Sequence, residues 1–360
     1  MTKLTKFSEL KSVRTVSDVQ VTIGADPELF IKRSGRAIGS EKVINENSHV
    51  IEDGVQAELQ PLPSDCRERF QDNIAACLKS LKKMVSGKRC NVSPDILVDV
   101  SKSQYDSLSE KNKEFGCGIS HNAHGFEVVS VDPSKYLKRS AGGHMHFGED
   151  ELSDKHAKIL TDAERVIPIL DIMVGNTLVL LDRDKGNKER RKYYGLAGEY
   201  RINDHGIEYR TPSNFWLRAK PLMSLAFGLA RHGINICFAG LDKQLLSLVD
   251  MKDITRAINN NNYALAKRNF NKYKEFIVAT AYKGDDFYPI NNKESLAFFE
   301  RIVKDGADEH FPQDIMGNWL NTPYILNGGW SSFRYRLQSA EERERQRELN
   351  QNTRRTGCGI

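Results

Sequence analysis

Two Glu-Tyr-Arg triplets, nine residues apart, dominate the segment YYGLAGEYRINDHGIEYRTPSNFWL at residues 193–217. Side chains alternate in direction along an extended chain. Glu199 and Arg201 therefore share one face of their strand, and Glu208 and Arg210 share one face of theirs. A carboxylate and a guanidinium thus recur together on a strand face, which is a pattern of metal and phosphate sites and also of simple cross-strand salt bridges.

The residues between the triplets predict how these two strands connect. The polar stretch Asn203–Gly206 is typical of a tight β-hairpin turn. Tyr200 and Tyr209 then point away from the charged side chains, towards packing. The segment alone leaves a salt-bridged hairpin and an ionic site equally open, and the rest of the chain has to decide between them.

Three further segments repeat the placement of polar residues on one strand face. Buried carboxylates without partners are costly, so either cations or a solvent-filled funnel must face them. The segments are Gly24–Phe30 with Asp26 and Glu28, Asp53–Pro61 with Gln56, Glu58 and Gln60, and Gly142–Gly148 with His144 and His146.

Proline and glycine within these segments carry positional information. Pro27 predicts an edge position or a strand end, because proline cannot donate to a sheet ladder. Gly142 and Gly143 predict a place where a ligand approaches the backbone closely.

The ligand types indicate which ion and which substrate group the site binds. Hard oxygen ligands with one or two imidazoles favour magnesium or manganese over zinc. Arginines beside such a cluster indicate phosphate, which they bind bidentately. The candidates are Arg201 and Arg210, helped by Arg183, Arg190 and Arg191. Phosphoryl transfer is the chemistry that needs both divalent ions and arginines.

No Walker A sequence and no G-x-G-x-x-G motif occur in the chain. If the protein uses ATP, metals and arginines must therefore hold the phosphates.

Together the segments resemble the phage-type carboxylate-amine ligases, type 2, a branch of the glutamine synthetase and glutamate-cysteine ligase superfamily. The motifs that carry the resemblance are Gly24–Phe30, Asp53–Pro61, Gly142–Gly148 and Arg190–Leu217. The resemblance implies an α+β fold with a glutamine-synthetase-like antiparallel sheet that forms a funnel and helices packed outside. It also implies an ATP-dependent amidoligase that forms an amide through an acyl phosphate and releases ADP and phosphate.

The resemblance further implies which residues bind metal. Two or more Mg²⁺ ions, or Mn²⁺ in their place, would be held by residues from all four segments. These metal ligands would be Asp26, Glu28, Glu58, His144 and Glu208.

A second set of roles concerns ATP and the transferred phosphoryl group. His146 would lie near the nucleotide phosphates, and Arg191 would be a further cofactor-binding residue. Arg201 and Arg210 would bind the phosphoryl group and the substrate carboxylate, and with Glu208 they would form the catalytic set.

The chain departs from the family pattern in two places. The first acidic pair is Asp-x-Glu, where many superfamily members have Glu-x-Glu. The stretch Phe115–Ala123 lacks the acidic residues expected there and carries His121 and Asn122 instead, so no acceptor-binding role is assigned to it. Cys117 in this stretch is interpreted as a small buried hydrophobe, not a nucleophile.

Composition bounds the function without contradicting this interpretation. A hydrophobic content of 39% over 360 residues permits a large core, and a net charge of +5 is too modest to indicate nucleic-acid binding. The six cysteines show no CxxC pair or zinc spacing, and no secretory signal is evident, so we expect a reduced cytoplasmic protein, in the host cytoplasm if phage-encoded. The apolar stretch Val166–Leu181 is too short and too interrupted to span a bilayer and predicts a buried helix.

The chain is expected to form a single ligase domain at 15–338 and a charged C-terminal tail at 339–360. Its partners would be a small-molecule or peptide carboxylate and an amine acceptor, and homo-oligomerisation stays open. We interpret Trp216 and Trp330 as core or rim aromatics and not as base-stacking platforms. The predicted helices are Ser64–Val85 with Ser64 as the cap, Ser153–Leu181 with a bend at Pro168, Leu217–Leu241, Asn262–Ala281 and Lys293–Lys304.

Two other classes of function remain open at this point. A metallohydrolase would use His144, His146, Asp26 and Glu28 around zinc or manganese, with a metal-bound hydroxide as the nucleophile. That interpretation does not explain the arginines or Glu208. A non-catalytic phage protein that keeps the fold would instead tolerate loss of the acidic residues.

Overall fold

A computed structural model describes most of the chain. The described residues are 19, 21–113, 120–127, 132, 134–148, 152–281, 288–321, 330, 332–334, 336–337, 339–342 and 344–345. Cys117 and the end of the tail, 346–360, lie outside them, so the expectations for those positions stay predictions.

The strands of the described residues pair antiparallel throughout. In chain order they are β1 Thr22–Ala25, β2 Glu28–Arg33, β3 Arg36–Ala37, β4 Val50–Asp53, β5 Gln56–Leu59, β6 Asn91–Ser93, β7 Leu97–Asp99, β8 His121–Asn122, β9 Lys138–Ser140, β10 Met145–Gly148, β11 Glu199–Asn203 and β12 Gly206–Tyr209. Sheet A has the order β1-β10-β12-β11-β8, sheet B has β3-β2-β5-β4 with β6 also paired to β2, and sheet C is β7-β9.

The helices are concentrated in the second half of the chain. They are α1 Arg67–Val85, α2 Lys102–Asp106, α3 Glu110–Lys113, α4 Asp154–Leu160, α5 Ala163–Leu170, α6 Thr177–Val179, α7 Gly186–Arg190, α8 Lys220–Phe238, α9 Asp242–Ser247, α10 Met251–Asn259, α11 Tyr263–Thr280, α12 Lys293–Asp305, α13 Ala307–His310 and α14 Ile315–Leu320. Asp171–Asn176 forms a π-helical turn between α5 and α6.

The predicted α+β class is confirmed, but the strands do not form one sheet. The chain leaves sheet A at Ala25, passes through Asp26 and Pro27, and enters sheet B at Glu28. Pro27 therefore marks a strand end, as predicted, because its missing N–H cannot continue the ladder. Asp26 and Glu28 consequently belong to a junction between sheets and not to a single strand.

One face of sheet A packs on helices and the other carries the polar side chains. The packed face presents Ile23, Met145, Phe147, Ile207 and Tyr209, all at most 1% exposed. Helices α4 and α5 contact β12 on this side. Burial of this alternate set of residues fixes which face each functional side chain takes.

Helix α8 is buried along its whole length, and its polar residues have partners. The imidazole of His232 lies 3.0 Å from Thr280 Oγ1, and Asn235 donates to Tyr288 Oη. Burial lowers the pKa of His232 to about 3, so its ring is neutral in the core. Trp216 and Trp330 are at most 1% exposed, which confirms both as core residues.

Helix α1 matches the predicted segment except at its start. The helix begins at Arg67 with Cys66 at the cap, so the prediction of Ser64 as the cap was wrong. Ser64 is held instead by Ile23, since its backbone N–H and C=O both bond to that residue at 2.9 and 3.0 Å. A residue fixed in a β-bridge cannot also open a helix.

The predicted helix Ser153–Leu181 is divided. It comprises α4, α5, the π-helical turn and α6, and Asp171 in that turn is fully buried. The predictions for α8, α11 and α12 are confirmed to within three residues. No helix in the described part of the chain has the length and apolarity needed to cross a membrane.

The hairpin between β11 and β12 needs glycine at its second strand. Gly206 has φ 141°, and a Cβ there would overlap the carbonyl oxygen of Phe147 on β10. We expect Gly206→Ala to lower the free energy of unfolding in urea by about 1–3 kcal/mol more than a glycine substitution limited to backbone strain.

Gly87→Ala is the matched control, since Gly87 also has positive φ (76°) but no described atom lies within 4 Å of the added Cβ. Equal losses in the two variants would contradict the close approach of β10 to β12.

Candidate active site

The two Glu-Tyr-Arg triplets form the predicted hairpin. Arg201 lies directly opposite Glu208 in the β11–β12 register, and Asn203 lies opposite Gly206. Residues that face each other across an antiparallel pair share one face of the sheet. The register therefore puts both triplets on the same face, which the alternation within each strand could not establish.

The polar face of sheet A carries its functional residues in two adjacent rows. In the first row, Gly24 pairs with His146, His146 with Glu208, and Glu208 with Arg201. Continuing each register by one pleat gives the second row, which is Asp26, His144, Arg210 and Glu199. The hydrogen bond from the Arg210 N–H to Glu199 O, at 3.0 Å, extends the β12–β11 pairing into that row.

A first acidic cluster lies where the rows cross β1, β10 and β12. Asp26, His146 and Glu208 each offer a ligand atom, and these atoms lie within 4.8 Å of one another. His144 lies among them, with its Nδ1 3.1 Å from Asp26 Oδ1 and 3.4 Å from Glu208 Oε1.

Several atoms of this cluster are buried without a hydrogen bond among the described residues. They are Asp26 Oδ1, His144 Nδ1, His146 Nε2 and Glu208 Oε1. Such atoms carry a large desolvation cost unless something compensates them. A mixed carboxylate and imidazole set of this kind fits a divalent cation such as Mg²⁺ or Mn²⁺.

Burial and the contacts among its members set the protonation of the first cluster. Burial acts to raise the pKa of Asp26, but the imidazoles of His144 and His146 outweigh burial and hold this pKa well below its ordinary value. Burial lowers the pKa of His144, so its ring carries one proton at neutral pH. Burial acts in the same direction on His146, but contact with Asp26 outweighs it and raises that pKa.

A second acidic cluster lies in sheet B and consists of Glu28, Asp53 and Glu58, whose ligand atoms also lie within 4.8 Å of one another. Glu28 faces Glu58 directly across β2 and β5. Like charges in this position destabilise a sheet unless a cation or a proton neutralises them. Burial, together with Asp53, raises the pKa of Glu28 well above its ordinary range, and burial with Asp26 and Asp53 raises that of Glu58 to about 8.

Gly142 joins the two clusters through Glu28. Its N–H donates to Glu28 Oε2 at 2.7 Å, and its carbonyl accepts from the Glu28 N–H at 3.0 Å. Gln56 Nε2 donates to the same Oε2. One carboxylate oxygen of Glu28, Oε2, thus accepts two hydrogen bonds that join the sheets.

The glycines before His144 serve packing of the chain itself. A Cβ at Gly143 would overlap Ser213 O and Trp216 Nε1, and Trp216 Nε1 donates to Gly143 O at 2.9 Å. The prediction that a ligand fills the space beside Gly143 was wrong. The segment after β12 fills it, and it thereby fixes the start of β10.

Two arginines reach the first cluster. Arg210 Nη1 lies 3.1 Å from Glu208 Oε1, and Arg201 Nη1 lies 3.8 Å from Glu208 Oε2. Glu199 Oε1 is 3.6 Å from Arg210 Nε, while its other oxygen accepts from the N–H groups of Gly195 and Leu196. The salt-bridged hairpin and the ionic site are therefore the same structure.

The upstream arginines contact other parts of the protein. Arg190 is buried and donates to the carbonyls of Thr211, Arg210 and Pro212. Arg191 donates to Gly195 O at 3.3 Å and Asn261 Oδ1 at 3.4 Å, and burial lowers its pKa to about 10. The Arg183 guanidinium lies over the Tyr263 ring.

Two residues of this site escaped sequence reasoning. The sequence assigns no role to Asp53, the last residue of β4, which lies opposite Gln56 and whose carboxylate comes within 4.8 Å of the ligand atoms of Glu28 and Glu58. The sequence likewise predicts no role for Tyr194, but its hydroxyl contacts both His144 and Arg210. Asp53 and Tyr194 lie near the motifs in the sequence, but nearness in sequence does not show which residues touch in the folded chain.

The comparison with known families concerns the middle of the chain. A profile of the family described as phage phiEco32-like COOH.NH2 ligase-type 2 matches residues 130–319, more than half of the 360 residues. No curated protein matches the chain. The match confirms the resemblance and includes β10, β11 and β12, whereas Asp26, Glu28, Asp53 and Glu58 precede the matched range.

The raised pKa of Glu58 allows a test of whether the second cluster carries negative charge that nothing in the protein neutralises. Its pKa of about 8 exceeds the ordinary value of 4.5, so this group costs the folded state stability as pH rises through that interval. We expect Glu58→Gln, in EDTA, to gain stability over the wild type between about pH 5 and about pH 8, by up to about 1.4 kcal/mol per pH unit. Urea unfolding at several pH values measures this gain.

Glu46→Gln is the control, because Glu46 lies on the surface beside Lys111 and its pKa is lowered mainly by that contact. This variant should not gain stability over the same range. Parallel curves for Glu58→Gln and the wild type would show that the second cluster has no excess negative charge to neutralise.

Proposed function

Because the chain belongs to the phage phiEco32-like COOH.NH2 ligase-type 2 family, we propose that it joins a carboxylate to an amine with ATP as the energy source. In this proposal Mg²⁺ or Mn²⁺ binds the two acidic clusters, and the carboxylate is activated as an acyl phosphate. The reaction releases ADP and phosphate.

One observation carries the proposal: two acidic clusters and two arginines lie together at the junction of sheets A and B. Glu208 belongs to the first cluster and also contacts Arg201 and Arg210. A cation site that shares a ligand with an arginine pair suits a polyphosphate, which needs both kinds of positive charge. A metal-bound hydroxide alone would not need the arginines.

The acidic clusters fit divalent cations by their donor types. Asp26, Glu208 and the two histidines beside them, His144 and His146, would hold one ion. Glu28, Asp53 and Glu58 would hold another. When bound, such ions neutralise the charge that develops on the transferred phosphoryl group. The charges of Asp26 and His146, in the first cluster, act on the pKa of Glu58, in the second, and this supports two ions close enough to act on one substrate.

The arginines would stabilise the same group from the side of sheet A. Arg210 is 2% exposed and held by Glu208 and Glu199, so its position is fixed before a substrate binds. Arg201 has a side chain that is 24% exposed and lies at the end of the row. We assign Arg210 to the transferred phosphoryl group and Arg201 to the substrate carboxylate or phosphate oxygens.

The proposed reaction has two steps that balance without a redox partner. A carboxylate oxygen of the substrate attacks the γ-phosphorus of ATP, and the bond to the β–γ bridging oxygen breaks to release ADP. The amine nitrogen then attacks the carbonyl carbon, the bond to the phosphoryl oxygen breaks, and phosphate leaves with the proton from nitrogen. Positioning and charge stabilisation are the protein's main contributions to both steps.

Calorimetry tests nucleotide and cation binding together. We expect ATP to bind the wild type in the presence of Mg²⁺, and Glu28→Gln to weaken that binding by at least about tenfold. Glutamine keeps an oxygen that can accept from Gly142 and Gln56, so this change removes charge while retaining the junction between sheets.

Glu189→Gln is the matched control, since Glu189 pairs with Lys138 and Lys192 outside both clusters. Equal weakening in the two variants would place the nucleotide elsewhere. No ATP binding, together with zinc or manganese that survives purification, would instead favour a metallohydrolase.

Turnover tests the role of Arg201. Once a screen of carboxylates and amines identifies a pair that supports ADP release, we expect Arg201→Lys to lower kcat by about 100-fold. The affinity for Mg-ATP should fall much less, because lysine keeps the charge but cannot form a bidentate contact.

Arg256→Lys serves as the control, because Arg256 is a surface residue paired with Asp253. An unchanged kcat in Arg201→Lys would remove this arginine from the catalytic set.

A further inference from the structure

Tyr194 connects the histidine of the first cluster to the arginine that borders it. Its hydroxyl lies 2.5 Å from His144 Nε2 and accepts a hydrogen bond from Arg210 Nη2 at 2.7 Å. Its ring lies 5.0 Å from the Arg210 guanidinium and 5.1 Å from that of Arg190. No role for Tyr194 follows from the family match or from the acidic clusters themselves.

The position of Tyr194 is set by the backbone on both sides. Its N–H donates to Arg190 O at 2.9 Å, and the next residue, Gly195, donates to Glu199 Oε2 at 2.6 Å. Gly195 has φ 71°, and a Cβ there would overlap the Arg190 guanidinium. The chain therefore holds the phenol ring between two arginines at the edge of the cluster.

The hydrogen bonds of the phenol oxygen leave two arrangements for His144. Arginine can only donate, so Arg210 occupies one lone pair of the oxygen. The hydroxyl either donates to Nε2, which puts the ring proton on Nδ1, or accepts from an Nε2–H, which leaves a lone pair on Nδ1. Phenylalanine at this position would permit neither contact.

The two arrangements suit opposite states of the first cluster. His144 Nδ1 faces Asp26 Oδ1 and Glu208 Oε1 at 3.1 and 3.4 Å. Without a cation, an Nδ1–H beside two carboxylate oxygens is favourable. With a cation, the same position needs the lone pair: the ring releases its Nδ1 proton to solvent and takes one up from solvent at Nε2, so its charge does not change. The phenol O–H then turns away from the ring and its oxygen accepts from Nε2–H, as a fixed oxygen usually does from the second nitrogen of a ligating histidine.

We propose that Tyr194 is a positioning residue whose hydroxyl exchanges its donor and acceptor roles toward His144 when a divalent cation binds, while it holds Arg210 in place throughout. This inference rests on the proposed cation site. It makes occupation of the first cluster and placement of the arginine depend on one oxygen atom.

The test uses the full chain with Tyr194→Phe and, as a matched control, Tyr193→Phe. The ring of Tyr193 packs against that of Tyr136, with centroids 4.0 Å apart, and among the described residues it forms no hydrogen bond or ring contact with the two rows of sheet A. Calorimetry with Mg²⁺ alone should give an affinity about 10- to 100-fold lower for Tyr194→Phe than for the wild type. Tyr193→Phe should bind as the wild type does, and circular dichroism in EDTA should show all three proteins folded at the temperature of the titration.

Nitrogen-15 NMR of histidine-labelled protein reads the tautomer directly. The wild-type His144 ring should carry its proton on Nδ1 in EDTA and on Nε2 in Mg²⁺, and Tyr194→Phe should not make this full exchange. Equal Mg²⁺ affinity in Tyr194→Phe, or an Nδ1–H that persists in Mg²⁺, would overturn the role of Tyr194 and leave the cation site standing. Absence of Mg²⁺ binding to the wild type would overturn both.

Discussion

The pair of hydrogen bonds between Glu28 and Gly142 determines how the two main sheets meet. Glu28 opens β2 in sheet B, and Gly142 precedes β10 in sheet A, so bonding through both the backbone and the carboxylate ties the sheets at one point. The chain also crosses there at Asp26. Each acidic cluster takes its ligands from one side of this joint. The spacing of the clusters, and hence any chemistry that needs both, depends on it.

Concentrating carboxylates at the joint costs stability that the rest of the fold must supply. Helix α8 is buried along its whole length, and the rear face of sheet A is almost fully buried. Against this background, Glu58 is held next to Glu28 and Asp53 with its pKa raised to about 8. Charge repulsion in the clusters therefore destabilises the folded state, and a bound cation would remove this repulsion. A rigid scaffold is what allows like charges to remain this close.

Sequence patterns predicted the parts of this structure that depend on local rules. Alternation and turn chemistry gave the hairpin of residues 199–210, and apolar periodicity gave most of the long helices. The parts that the sequence did not predict depend on pairing between strands that are distant in the sequence. Which sheet a strand joins, and that Asp53 meets Glu58, follow from registers that alternation does not specify. Tyr194 and Gly143 were missed or misassigned for the same reason, since their roles come from what the fold brings next to them.

The π-helical turn behind sheet A requires a fixed number of residues, because a hydrogen bond to another element is made at each of its ends. Asp171 at its start accepts from Tyr209 Oη at 2.7 Å, and Asn176 at its end donates to Tyr273 Oη at 2.9 Å. Deleting one residue between Asp171 and Asn176 would convert the wide turn to α-helical geometry and bring these two side chains closer together along the helix, while Tyr209 and Tyr273 stay in place. At least one of the two hydrogen bonds would then lengthen or break. Insertions and deletions between residues 163 and 181 should therefore be far rarer than substitutions, although this helix has no direct contact with the ions or phosphates that sheet A is proposed to bind.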